Sequence, residues 1–394
     1  MKSNVVIVAA KRTPFTSFGG SMKDLSANDL GAACSRSAIA MAGIDPGDID
    51  HVVFGNVMQT SGDAIYHARH VGLKADVPNT VPALTVNRLC GSGFQSIVTA
   101  AQQILLGEAS IVLAGGAESM SQAPHVIRGA RWGLRLGQAP MTDSLWEGLT
   151  DTFCKLPMAI TAENLAEQHG IARADCDAYA VRSHRAWAAA QEANLFQDEI
   201  AAVTRTDRKG NEPRLELDEC PRPDSSEEKL ARLRPVFKKD GVVTAGNASE
   251  ITDGAAALIV MSEEEASRRN LQPLARIVSW GIVGVDPSIM GIGPVGATRQ
   301  ALERGGVTLD DMDLVEVNEA FAPQYLAVEK ELGLDRDKTN LCGGAISIGH
   351  PLGASGARIT GHLAHRLAKT DARYAVGSAC IGGGQGIAIV LESN

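Results

Sequence analysis

Apolar positions fall into two rhythms along the chain. Unbroken runs such as VVIVAA from Val5 and the stretch TDGAAALIVM from Thr252 predict strands buried on both faces. Longer segments with an apolar residue every third or fourth position, FQSIVTAAQQILLG ending at Gly107 and ARITGHLAHRLA from Ala357, predict amphipathic helices. The two rhythms alternate, which predicts an α/β chain with largely parallel central strands covered by helices.

The pattern also repeats. At a constant offset of 263, AIAMAGIDPGDIDHVVFGN (38–56) overlays ALERGGVTLDDMDLVEVNE (301–319), with Gly43 on Gly306, Asp48 on Asp311, Asp50 on Asp313 and Val52 on Val315. Each copy reads as a helix stopped at glycine, a turn, and a strand whose following loop carries Asn56 or Asn318. A Cys-Gly-Ser-Gly turn then leads into one helix and a His-Pro-Leu-Gly turn into another, each followed by a strand ending in small residues. Two halves related by a pseudo-twofold follow: residues 1–120 with 249–270, and residues 271–394. Between them, 121–248 alternates charged helical patches with loops rich in proline and charge, as expected of an insertion covering the site.

Composition narrows the classes of function. The 394 residues are 44% hydrophobic and 21% charged, an ordinary globular profile. A formal charge of -9 argues against nucleic acid as a partner. No apolar run approaches the roughly 20 residues of a membrane span. The seven cysteines, without a CxxC pair, read as reduced thiols and point to a cytoplasmic setting. Lys11 and Arg12 follow the first apolar run at once, so it reads as an opening strand rather than a signal peptide.

Four small-residue turns each hold one reactive side chain: Cys90 in NRLCGSG, Asn318 in VEVNEAF, His350 in GHPLGASG and Cys380 in GSACIGGGQG. Glycine permits close approach of backbone to substrate, so these side chains stand on tight, accessible turns. Cys90 precedes a helix whose N-terminus favours thiolate, which predicts a lowered pKa. His350 occupies the corresponding turn of the second half, where the pseudo-twofold brings it to Cys90 as a base. Asn318 reads as a turn former or as an oxyanion donor. Gly291, Gly293 and Gly296 match GxGxxG, but Asp286-Pro287-Ser288 separates them from any strand and Pro294 argues against a helix, so a flexible loop is expected instead of a dinucleotide site. Metal-ligand spacings are absent, and no metal is expected.

With NRLCGSGFQSI, GGAESMSQAP, TAGNAS, DPSIMGIGP, VNEAFAPQ, GGAISIGHPLGASGARI and GSACIGGGQGIA in order along essentially the whole chain, the sequence resembles the thiolases, in particular the 3-ketoacyl-CoA thiolases and acetyl-CoA acetyltransferases. The resemblance implies a five-layered αβαβα body of two duplicated halves with an inserted loop domain, assembled as a homotetramer from two dimers. It implies Cys90 as the acylated nucleophile, His350 as its activator and Cys380 as the acid/base at the α-carbon. Asn318 would hold a water that shares one oxyanion site with His350, and the amides of Cys90 and Gly382 would form the other. CoA contacts fall on Arg222, Phe237, Ser249 and Met290; acyl-CoA and CoA are substrates, and no further cofactor is implied. Three residues depart from the family pattern: Cys342, where Asn is usual; Glu250, where Gly is usual; and Pro157, where short-chain members carry His. The last favours longer 3-ketoacyl chains. An acyl-carrier-protein-dependent condensing synthase would have His or Asn in place of Cys380, and a non-catalytic acyl-CoA or lipid-binding relative would not need all four reactive residues.

Overall fold

A computed structural model describes residues 4–137, 139–205 and 210–394. In the first half, strands β1 (Val5–Arg12), β2 (His51–Gly55), β3 (Ala83–Val86) and β4 (Ile111–Ser119) alternate with helices α1 (Ala27–Ala42), α2 (His67–Lys74) and α3 (Ser92–Leu106). Helices α4 (Met158–His169) and α5 (Arg173–Glu192) lie in the intervening segment, and β5 (Thr252–Ser262) returns to the sheet. The second half contributes β6 (Ala275–Gly284), α6 (Gly293–Gly305), β7 (Leu314–Val317), α7 (Ala322–Leu332), α8 (Leu352–Lys369), β8 (Tyr374–Ile381) and β9 (Gln385–Glu392). Among the described residues no helix is long and apolar enough to cross a membrane.

Hydrogen bonding orders these strands β7-β8-β9-β6-β1-β5-β4-β2-β3. About the short β1–β6 contact at Val5–Ile7, β6-β9-β8-β7 mirrors β1-β5-β4-β2, with β3 an additional edge strand of the first half, so the repeat in sequence is a repeat in topology. Gly43 and Gly306, one offset apart, end α1 and α6 in the same left-handed conformation, with φ of 65° and 67°.

The expectation of largely parallel strands is corrected. Only β2 with β3, β2 with β4, and β7 with β8 run parallel; β4, β5, β1, β6, β9 and β8 are joined antiparallel. The β8–β9 pair is a hairpin whose turn uses positive φ at Gly383 and Gly384. Helices cover both faces of these strands, so antiparallel strands carry the same unbroken apolar runs as parallel ones. A second correction concerns GIGPVG: α6 starts at Gly293 with Pro294 in its first turn, where proline's missing N–H costs nothing.

Five layers result. Helices α1 and α2 cover the outer face of the first half, α6 and α7 that of the second, and α3 and α8 pack against each other in the middle. Phe94, Ile97 and Ile104 of α3 meet Ile359, Leu363 and Leu367 of α8 in this central layer, each 5% exposed or less. Full burial of such side chains is worth about 1.5–3 kcal/mol apiece. The starts of α3 and α8 therefore converge with the ends of β2, β4, β7 and β8, and the functional turns lie at this junction.

Candidate active site

Two turns lock together at the junction by backbone packing. Leu89, with φ of 46°, and Gly91 carry the chain past Cys90 into α3. A Cβ at Gly91 would stand 2.5 Å from Ile381 Cδ1. In the opposite turn, Gly349 has φ of 92°. The carbonyl of Gly353 then occupies the space where Cβ atoms on Gly93 and Gly116 would fall, 2.9 and 1.9 Å away. Only glycine allows the helix that follows Cys90 and the helix that follows His350 to approach this closely.

Cys90 and His350 line one cavity of about 380 Å³. Most of its wall is apolar: Met120, Leu145, Leu149, Phe321 and Leu352 among others. The segment between the halves supplies Leu145, Trp146, Met158 and Phe237, and the Trp146 and Phe237 rings stack with centroids 6.3 Å apart.

The His350 ring is oriented by its neighbours. Nδ1 lies 2.6 Å from Ser355 Oγ, whose hydroxyl donates to the Pro351 carbonyl at 3.2 Å. With that hydroxyl proton committed, Nδ1–H donates to Ser355, and Nε2 keeps its lone pair. Asn318 Nδ2 faces Nε2 at 3.4 Å. The Asn318 Oδ1 is buried without a partner among the described residues. Cys380, fully buried at the end of β8, packs with Met158, Met290, Ala320 and Phe321 and lies within electrostatic reach of Cys90.

Burial sets the resting charges. It pulls His350 down to about 3, assisted by the Arg358 guanidinium. It pushes the Cys90 thiol up to about 11, against the opposing amides of Gly382 and Cys90 itself, while the Glu118 charge adds to the rise. Burial raises Cys380 as well, with Cys90 as the second cause. The expected lowering of the Cys90 pKa is thus corrected: desolvation outweighs the helix N-terminus, and a neutral thiol and a neutral imidazole line the same cavity.

Of the residues assigned to CoA by resemblance, Phe237, Ser249 and Met290 line the cavity. Ser249 Oγ already donates to the Ala320 carbonyl at 3.0 Å. Arg222 is not part of the lining; it is ion-paired with Glu250 at the cavity wall. Pro157 lines the cavity, whereas Cys342 is buried elsewhere, among Trp187, Phe196 and Ile348. Reading the sequence alone does not pick out Ser355, although it stands five residues after His350 inside the same glycine-rich motif.

Comparison with known proteins identifies the family. The family Thiolase, N-terminal domain, matches residues 5–264, and Thiolase, C-terminal domain, matches residues 271–393. The chain is 56% identical over 390 residues to the mitochondrial 3-ketoacyl-CoA thiolase of Homo sapiens, covering 99% of this chain and 98% of that one. It is 50% identical over 393 residues to beta-ketothiolase BktB of Cupriavidus necator, covering both chains fully. The crystal structure of human mitochondrial 3-ketoacyl-CoA thiolase in complex with CoA superposes with a TM-score of 0.97 at 55% identity, covering 100% of this chain and 98% of that one.

Proposed function

Because the chain belongs to the thiolase family, we propose that it catalyses reversible CoA-dependent cleavage of a 3-ketoacyl-CoA into acetyl-CoA and a shortened acyl-CoA, and in reverse the condensation of two acetyl-CoA into acetoacetyl-CoA. The observation that carries this reading is a single apolar cavity lined by both Cys90 and His350, with Asn318 and Cys380 packed around it.

In the cleavage direction, Cys90 Sγ attacks the ketone carbon as its proton passes to His350 Nε2, the ring atom left basic by the Ser355 hydrogen bond. The bond between the α-carbon and the former ketone carbon then breaks. The electron pair leaves with the α-carbon as the enolate of acetyl-CoA, and Cys380 gives that carbon its proton. The Cys380 thiolate next takes the proton of incoming CoA, whose sulfur attacks the acyl-Cys90 thioester. Cys90 departs as thiolate and recovers its proton from His350, which closes the cycle with all protons returned. Charge appears twice on a carbonyl oxygen. The water site beside Asn318 and His350 serves one oxyanion; the amides of Cys90 and Gly382 serve the other, each donor set contributing on the order of 10²-fold or more.

The 121–248 segment acts here as a loop domain over the site. Arg222, Phe237, Ser249 and Met290 are assigned to CoA, which requires Arg222 to exchange its Glu250 partner for the anionic substrate. Assembly as a tetramer of two dimers agrees with the exposed Trp132, Leu134, Leu136 and Met141 on one loop, and a reducing, cytoplasmic setting agrees with the free thiols. Pro157 and the apolar wall favour acyl chains longer than acetyl. Thiolysis rates across a 3-ketoacyl-CoA series from four carbons upward test this. The reading expects kcat/KM to rise beyond the shortest member, and a zero rate on every member would contradict it.

A further inference from the structure

Glu118, at the end of β4, is a fully buried carboxyl with no part in the steps above. Its Oε1 accepts from Asn56 Nδ2 at 3.0 Å and the Met58 amide at 2.9 Å; Oε2 accepts from the Gly353 amide at 2.8 Å; and the Val57 amide reaches both oxygens at 3.2 Å. All of these partners are N–H donors that favour the carboxylate, while burial opposes them and raises the group to about 7. Asn56, Val57 and Met58 follow β2 of the first half. Gly353 lies in the first turn of α8 in the second half, three residues after His350, and its carbonyl packs against Gly93 of the helix that Cys90 precedes.

We propose that Glu118 is a positioning residue for the thiolase reaction: by binding Gly353 across the pseudo-twofold, it holds the His350 turn at the separation from Cys90 that proton transfer needs. This rests on the function proposed above. The titratable groups around this region are Asp253 on β5, which raises Glu118; Cys90, whose thiol Glu118 pushes upward; Cys380, which lies within electrostatic reach of Cys90; and His350, which lines the same cavity as Cys90.

Two substitutions in the full chain separate reach from charge. Glu118→Asp keeps the charge but withdraws it from Gly353, whereas Glu118→Gln keeps the length and removes the charge. Both are expected to lower kcat for thiolysis by at least about tenfold while KM stays within about threefold, because misplaced catalytic groups slow chemistry more than binding. The pH profile of Cys90 alkylation by iodoacetamide, followed on the Cys90 peptide by mass spectrometry, is expected to move to lower pH in Glu118→Gln and to stay at the wild-type position in Glu118→Asp. A merely structural role would lower thermal stability without this split. A folded Glu118→Asp with wild-type kcat, or an unmoved profile in Glu118→Gln, would overturn the proposal. Should neither variant fold, Asn56→Ala removes one donor to Glu118 and is expected to lower kcat with KM unchanged; an unaltered kcat would overturn the proposal equally. A wild-type chain without thiolysis would sink the thiolase reading instead, while the alkylation profiles, which need no substrate, still decide whether Glu118 governs Cys90.

Discussion

Two places among the described residues set a cysteine and a buried histidine in one locality, with the histidines in opposite states. At the site, His350 has a hydroxyl on Nδ1 and an arginine nearby, and burial leaves it neutral beside a cavity large enough for a substrate. On α8, the helix that follows His350, His362 bonds Cys342 and stands 2.9 Å from the Glu199 carboxylate, beside a space of about 10 Å³ that fits one water. Burial disfavours the His362 cation, but Glu199 outweighs it and raises the ring to about 10. A thiol beside an imidazole is therefore not enough for catalysis. The group on the other ring nitrogen decides whether the imidazole is a base or a fixed cation, and the cavity decides whether a thioester can reach it.

The sharpest way to break this contrast is to remove each thiol in turn. Cys90→Ala is expected to lower thiolysis by at least about 10³-fold, as loss of a covalent nucleophile does, whereas Cys342→Ala stays within about threefold of wild type when rates are normalised to folded protein. Equal losses would erase the distinction. Ser355→Ala, which strips His350 of its Nδ1 partner, should reduce kcat about tenfold, the scale of one buried hydrogen bond. An unchanged kcat would show that the tautomer is held some other way.

Stability against pH sharpens the same comparison from the folding side. His362 is raised from its ordinary 6.5, so its contribution is fully present below about pH 6.5 and is lost as pH rises through about 10. His350 is lowered, so its contribution is present above about 6.5 and is lost as pH falls toward about 3. Urea unfolding across pH should show His362→Gln flattening the alkaline limb by on the order of a few kcal/mol, and weakening the acid limb as well, because Glu199 loses the cation that holds its carboxyl low. An alkaline limb unchanged in His362→Gln would mean that His362 is not held as a cation.

Much of this was legible in the sequence, because repeats and glycine framing have direct physical causes. The offset that pairs Gly43 with Gly306 returns as equivalent helix stops, and the glycines around Cys90 and His350 mark the backbone contacts that bring the two turns together. Strand direction was not legible, since β5 and β9 are covered on both faces and read like parallel strands. Pro294 misled because proline breaks a helix only beyond its first turn. The raised Cys90 pKa depends on how deeply the folded chain buries the thiol, a quantity that local sequence does not carry. Glu118 left one trace, a lone charge within an otherwise apolar and small-residue strand.

Cys90 and Cys380 divide the labour of the reaction, and mixing the Cys380→Ser variant with acetyl-CoA and locating the adduct by peptide mass spectrometry separates their roles. An acetyl group is expected on the Cys90 peptide, in a protein that no longer cleaves or forms carbon–carbon bonds. Absence of the adduct, or an acetyl group on another cysteine, would contradict this division.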